Sequence, residues 1–95
     1  MTTERPASEV VENVRPISLR PHAVILHNDD VNSLEHVVAS LLACVPELDQ
    51  ERATAITLVA HTRGRAVVIL CPLELAELYR ERLEARGLTV TIEAA

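Results

Sequence analysis

A chain of 95 residues has room for one small domain and no more. Nearly half of it, 48%, is apolar, but Phe and Trp are absent and Tyr79 is the single aromatic ring, so Leu, Val, Ile and Ala must fill the core. Such a core favours helices and strands packed in two layers. A formal charge of −5 argues against a nucleic-acid binder, which carries a clustered basic surface, and mildly favours a cationic or neutral ligand. No apolar run approaches the ~20 residues of a membrane span and no signal-peptide pattern opens the chain, so the expectation is a soluble, cytoplasmic protein that does not engage a membrane. Cys44 and Cys71 sit in apolar stretches rather than in a Cys-x-x-Cys pair and read as buried thiols in a reducing compartment.

Residues 1–21 are polar, with Pro6, Pro16, Pro21 and mixed charges, and predict a flexible tail ahead of one domain over 22–95. His22 to Leu26 reads as a strand, and Asn28 to Ser33, rich in Asn and Asp, as the loop after it. Ser33 is a good N-cap for a helix carrying Leu34, Val37, Val38, Leu41, Leu42 and Val45 at helical spacing, which Pro46 ends. A second helix begins at the cap Asp49, runs through Ala53, Ile56, Val59 and Ala60, and stops at Gly64. The continuous apolar run Ala66 to Cys71 predicts a central strand. Pro72 opens a third helix with Leu75, Leu78 and Leu83 toward the core and Glu77, Arg80, Glu81, Glu84 and Arg86 toward water. Gly87 closes that helix, and Leu88 to Ile92 alternates as a last strand. The order β-α-α-β-α-β predicts an α+β domain, with helices on one face of a three-stranded antiparallel sheet.

Two polar segments stand where regular structure stops, the usual place for a binding site: His27-Asn28-Asp29-Asp30 and His61-Thr62-Arg63-Gly64-Arg65-Ala66. Asn28, Asp29 and His61 taken together suit a primary ammonium group, which offers three donors and no acceptor. The carboxylate also balances the charge, because an unpaired buried cation is very costly. Asn and Asp after a strand also serve simply as turn formers, and a basic helix end closed by Gly has its own dipole-based rationale. Zinc would have to draw on His22, His27, His36 and His61 with Asp29 or Asp30, but no compact ligand spacing occurs and neither Cys lies near a histidine. His27 and His36 are expected to point to solvent or to a helix face. A triad of Ser33, His61 and an Asp lacks a nucleophile elbow and a Gly-rich oxyanion loop. Neither an enzyme nor a cofactor is expected.

From His22 to the C-terminus the chain resembles the ClpS family of adaptors, which deliver N-degron substrates to a Clp-type AAA+ unfoldase. The resemblance rests on Val24-Ile25-Leu26-His27-Asn28-Asp29-Asp30, on the helix opening at Leu34-Glu35, on Ala53-Thr54, on His61 through Ala66, and on the closing Leu-x-x-Thr-Ile-Glu stretch. It implies that Asn28, Asp29 and His61 bind a substrate's free α-amino group, beside a pocket for the first side chain (Phe, Tyr, Trp or Leu). By position that pocket is lined by Ile25, Leu26, Asn32, Leu34, Val37, Thr57, Ala60 and Leu88. It further implies a monomer whose Glu74 meets the N-terminal domain of a ClpA- or ClpC-type unfoldase, for degradation by ClpP. Leu34 stands where the family often has Met, and Thr57 and Ala60 where larger apolar residues are common, so a wider and slightly more polar pocket is expected. Val31 replaces a frequent aromatic, and Tyr79 a frequent Lys on the partner-facing side. The alternative is a protein-interaction domain that uses a helical face, with the polar run serving only as a turn.

Overall fold

The computed structural model describes residues 19–95. The elements follow the expected order: β1 (Pro21–His27), α1 (Leu34–Cys44), α2 (Gln50–Arg63), β2 (Arg65–Pro72), α3 (Leu73–Ala85) and β3 (Thr89–Ala94). The expected tail, residues 1–21, lies outside the described residues except for its last three, of which Pro21 already opens β1. Both N-caps are real. Ser33 Oγ accepts the backbone N–H of His36 at 3.1 Å and Asp49 Oδ1 that of Arg52 at 2.8 Å. Gly64 caps α2 at φ +94°, a left-handed conformation that side chains disfavour. No helix among the described residues is long and apolar enough to cross a membrane.

The sheet order is β2-β1-β3, with both pairings antiparallel. This corrects the reading of Ala66–Cys71 as the central strand. The centre is β1, every residue of which from His22 to Leu26 is buried. β2 is an edge strand whose Val67 and Leu70 are exposed. Its uninterrupted apolar run misleads because the strand is bulged: Val24 pairs with Ile69 and Ile25 with Val67, which leaves Val68 as the extra residue. Alternation along β1 sends Val24 and Leu26 into the main core, whereas Ile25 is buried outside it, between Val67 and Thr91 of the neighbouring strands.

The helices cover one face. Leu41, Ala53, Ile56, Ala76 and Leu83 join Val24, Leu26, Val68 and Val90 in the core. Leu78, expected to point inward, is 38% exposed and Val59 41%, because each sits at the margin of a helix stripe narrower than its apolar pattern. Cys44 and Cys71 are buried free thiols. Tyr79, expected on a partner-facing surface, instead fills the core at 3% exposure, and its hydroxyl donates to Glu47 Oε1 at 2.7 Å and Oε2 at 2.9 Å. His36, partly exposed on α1, donates from Nε2 to the Arg86 carbonyl at 2.8 Å. The Arg86 Nε–H in turn reaches the buried Ser40 Oγ at 2.9 Å, so α1 is locked to the end of α3.

Burial, followed by the hydrogen bond to Glu47, pushes the Tyr79 phenol up from 10.0 to about 12. A raised acid favours the folded state below its ordinary pKa and loses that contribution as the pH climbs through the folded value. Wild-type stability in urea is therefore expected to fall between pH 10 and about 12, a decline that Tyr79→Phe lacks. At neutral pH Tyr79→Phe costs about 0.5–1.5 kcal/mol for the lost hydrogen bonds. Tyr79→Ala costs about 3–5 kcal/mol, as for other large aromatic truncations.

Candidate functional site

β1 ends at His27, and the chain crosses residues 28–33 before α1 begins. Two anchors shape that crossing. Asn28 N–H donates to the Gly64 carbonyl at 2.9 Å, joining the loop to the end of α2. The Asp29 carboxylate organises the rest: Oδ1 accepts the N–H of Val31 at 2.8 Å and of Asn32 at 2.7 Å, and Oδ2 accepts Asn32 Nδ2 at 3.0 Å. That same amide nitrogen donates to the Gly87 carbonyl at 2.9 Å, so the loop is also pinned to the turn between α3 and β3. Gly87 holds φ +88°, and a Cβ there would stand 3.7 Å from Asn32 Oδ1. These bonds, the Asn32 backbone N–H first and its side chain next, hold the Asp29 carboxyl below its ordinary value of 3.8.

Loop and helices enclose a cavity of about 310 Å³. Of the residues expected at the site, Leu26, Asn28, Asp29, Asn32, Leu34, Val37, Thr57, Ala60 and His61 all line it. Ile25 and Leu88 do not. Strand alternation puts Ile25 on the other side of the sheet from the helices, and Leu88 is packed into the core just before β3. His61 is exposed at the cavity wall. His27, Asp30 and Ser33, not among the expected site residues, line the cavity too. His27 Nε2 is bonded to Thr91 Oγ1 at 2.7 Å.

The cavity has two chemical ends. Asn28, Asp30 and His61 have side chains with no hydrogen-bond partner among the described residues, and they offer an amide, a carboxylate and an imidazole beside the already engaged Asp29. Leu26, Val37 and Ala60, all buried and apolar, line the same cavity. Thr57 is less polar than its name. Its hydroxyl donates to the Ala53 carbonyl at 2.8 Å, so its proton is already engaged by the helix backbone. Among the described residues no three His, Cys, Asp or Glu side chains converge on a metal position.

A three-stranded antiparallel sheet backed by helices, with this two-ended cavity at the end of its central strand, defines a small binding domain. The family described as the ATP-dependent Clp protease adaptor protein ClpS matches residues 18–91. The chain is 48% identical over 82 residues to the ClpS adapter of Synechococcus sp. (strain CC9902), covering 86% of this chain and 78% of that one. It is 40% identical over 92 residues to the ClpS adapter of Synechococcus elongatus, covering 97% and 93%. In three dimensions it superposes on Agrobacterium tumefaciens ClpS2 bound to L-phenylalaninamide with a TM-score of 0.75 at 27% identity, covering 80% of this chain and 98% of that one. The chain belongs to the ClpS family, the non-catalytic adaptors of the ATP-dependent Clp protease.

Because the depressed Asp29 carboxyl favours folding only while it is ionised, its contribution is present at neutral pH and is lost as the pH falls below 3.8 through the folded value. Asp29→Ala is expected to lower unfolding free energy at pH 7 by about 1 kcal/mol, the figure for a charged acceptor discounted for its solvent contact. Thermal unfolding of the two proteins should converge in acid.

Proposed function

We propose that this adaptor recognises the free α-amino group and the bulky apolar first side chain of N-degron substrates, and hands them to a ClpA- or ClpC-type unfoldase for degradation by ClpP. One observation carries the reading: the polar groups and the apolar wall belong to a single cavity. An α-ammonium group and its own side chain leave the same Cα, so a ligand satisfying both ends must present them from one residue. Agrobacterium tumefaciens ClpS2 was solved with such a compound, L-phenylalaninamide.

In this reading Asn28, Asp29 and His61 meet the amine. Asn28 and an unprotonated His61 nitrogen accept from the ammonium. Asp29 supplies negative charge while its oxygens hold the loop in shape. Asp30 adds the one carboxylate of the cavity not already bonded. The first side chain lies against Leu26, Val37, Thr57 and Ala60, with Leu34 at the rim. Burying such a side chain contributes about 1.5–3 kcal/mol and charge-assisted hydrogen bonds about 1.5–3 each. After association costs this leads to micromolar binding, which suits a carrier that must release its cargo.

The second half of the function needs a separate surface. Glu74, Glu77 and Glu81, with Leu19, Leu75 and Leu78 among them, line a shallow hollow on α3. A carboxylate-rimmed apolar patch fits a partner surface of basic and apolar character, here the N-terminal domain of the unfoldase. We place the protein in the cytoplasm, acting as a monomer.

Fluorescence anisotropy with a Phe-initiated peptide tests the site. Micromolar binding is expected, lost on acetylation of the peptide's amine and in Asp29→Ala. Equal binding of the acetylated peptide overturns the amine mechanism, and unchanged affinity in Asp29→Ala overturns the assignment of that residue. Glu74→Lys is expected to keep peptide binding and to lose association with the unfoldase domain in a pull-down. Loss of both, in a folded variant, contradicts two separate surfaces.

A further inference from the structure

Beyond the first-residue cavity lies a second hollow of about 470 Å³, in the seam between α1 and α2, lined by Leu34, Val38, Ala39, Leu42, Thr54, Thr57 and Leu58 with Glu35 and Gln50 at its edge. It is not a separate feature of the surface. Leu34 and Thr57 line both cavities, so one thin wall of side chains divides them. Leu34 is 41% exposed and Leu58 47%, which is unusual for two Leu side chains facing one depression. Because the Thr57 hydroxyl is spent on Ala53, the shared wall is apolar on the helix side as well.

We infer that this seam is a second subsite of the same binding surface, and that it takes an apolar side chain at the third position of the substrate peptide. The inference rests on the amine reading of the first cavity. With the amine fixed among Asn28, Asp29 and His61 and the first side chain inside the cavity, the rest of the peptide leaves past Leu34 at the rim. There the lining passes along α1 from Leu34 to Val38 and Leu42, and along α2 from Thr57 to Thr54 and Gln50. The spacing fits an extended chain. Residues four apart on a helix are about 6 Å apart along its axis, and alternate side chains of an extended peptide are about 6.6 Å apart on one face. A first side chain inside Leu34 therefore puts the third over Val38, with Leu58 as the facing wall. The second side chain points to solvent.

Two series of free-amine peptides beginning with Phe test this, one varying position two and the other position three between Leu and Ser. In wild type, Leu at position three is expected to bind about 3- to 10-fold more tightly than Ser, a gain set by the apolar area covered. The same exchange at position two should change affinity less than about two-fold, as a solvent-facing side chain buries little. In Leu58→Asp, a change on an exposed residue, the preference at position three should vanish while the peptide with Ser at position three binds as before. Equal binding of the Leu and Ser peptides in wild type, with affinity for the Phe amine intact, overturns the second subsite and leaves the first cavity standing. Failure of every free-amine peptide to bind overturns both. If sedimentation shows a self-associated species that Leu58→Asp abolishes, with no preference at position three, the seam belongs to a second copy and the inference falls.

Discussion

The carboxylate of Asp29 shapes the loop between β1 and α1, and the candidate site depends on that shape. Three donors from Val31 and Asn32 converge on it, and Asn32 passes the constraint on to Gly87, just ahead of β3 at the same end of the sheet. The Asn28 N–H completes the frame by reaching the Gly64 carbonyl. A loop of six residues joining a strand to a helix has many conformations available, and ordering each residue costs about 1–2 kcal/mol. Charged, short hydrogen bonds to one acceptor offset part of that cost and leave Asn28 and Asp30 displayed rather than folded back. The same carboxylate thus serves as scaffold and as charge, and its removal is expected to act on both.

The cavity also owes its form to the central position of β1. A strand hydrogen-bonded on both sides and buried on both faces cannot shift, so the residues at its C-terminal end are presented rigidly. Leu26 on that strand, Val37 on α1 and Ala60 on α2 come from three elements, yet they share one wall because the helices pack on the same face of the sheet. The small residues Thr57 and Ala60 leave room where α2 passes the loop, and Leu34, unbranched at Cβ, closes the rim. The acidic hollow on α3 draws on separate elements, consistent with holding cargo and partner at once.

Local chemistry made most of the fold legible in the sequence. The caps Ser33 and Asp49, the left-handed Gly64 and the helical spacing around Leu41 and Ile56 are each decided within a few residues. Pairing was harder to see. An uninterrupted apolar run reads as a central strand, but β2 carries a bulge and lies at the edge, with Val67 and Leu70 left to solvent. Likewise the exposure of Val59 and Leu78 depends on how wide a stripe the neighbouring elements cover. At the site, nine of the expected residues share one cavity because strand end and helix end were already marked by polar runs. Ile25 and Leu88 fall outside it, since a positional correspondence does not encode which face of the sheet each residue takes. The inward turn of Tyr79 depended on a partner, Glu47, that is distant in the chain.

The most direct measurement is an amide NMR titration of the full chain with L-phenylalaninamide, a free α-amine joined to one apolar ring. Saturable shifts confined to Asn28–Leu34, Val37 and Thr57–His61, absent with the N-acetylated compound, are the expected result. Shifts centred on α3 or on the open sheet face, or an equal response to the acetylated compound, would contradict an amine site at the end of β1.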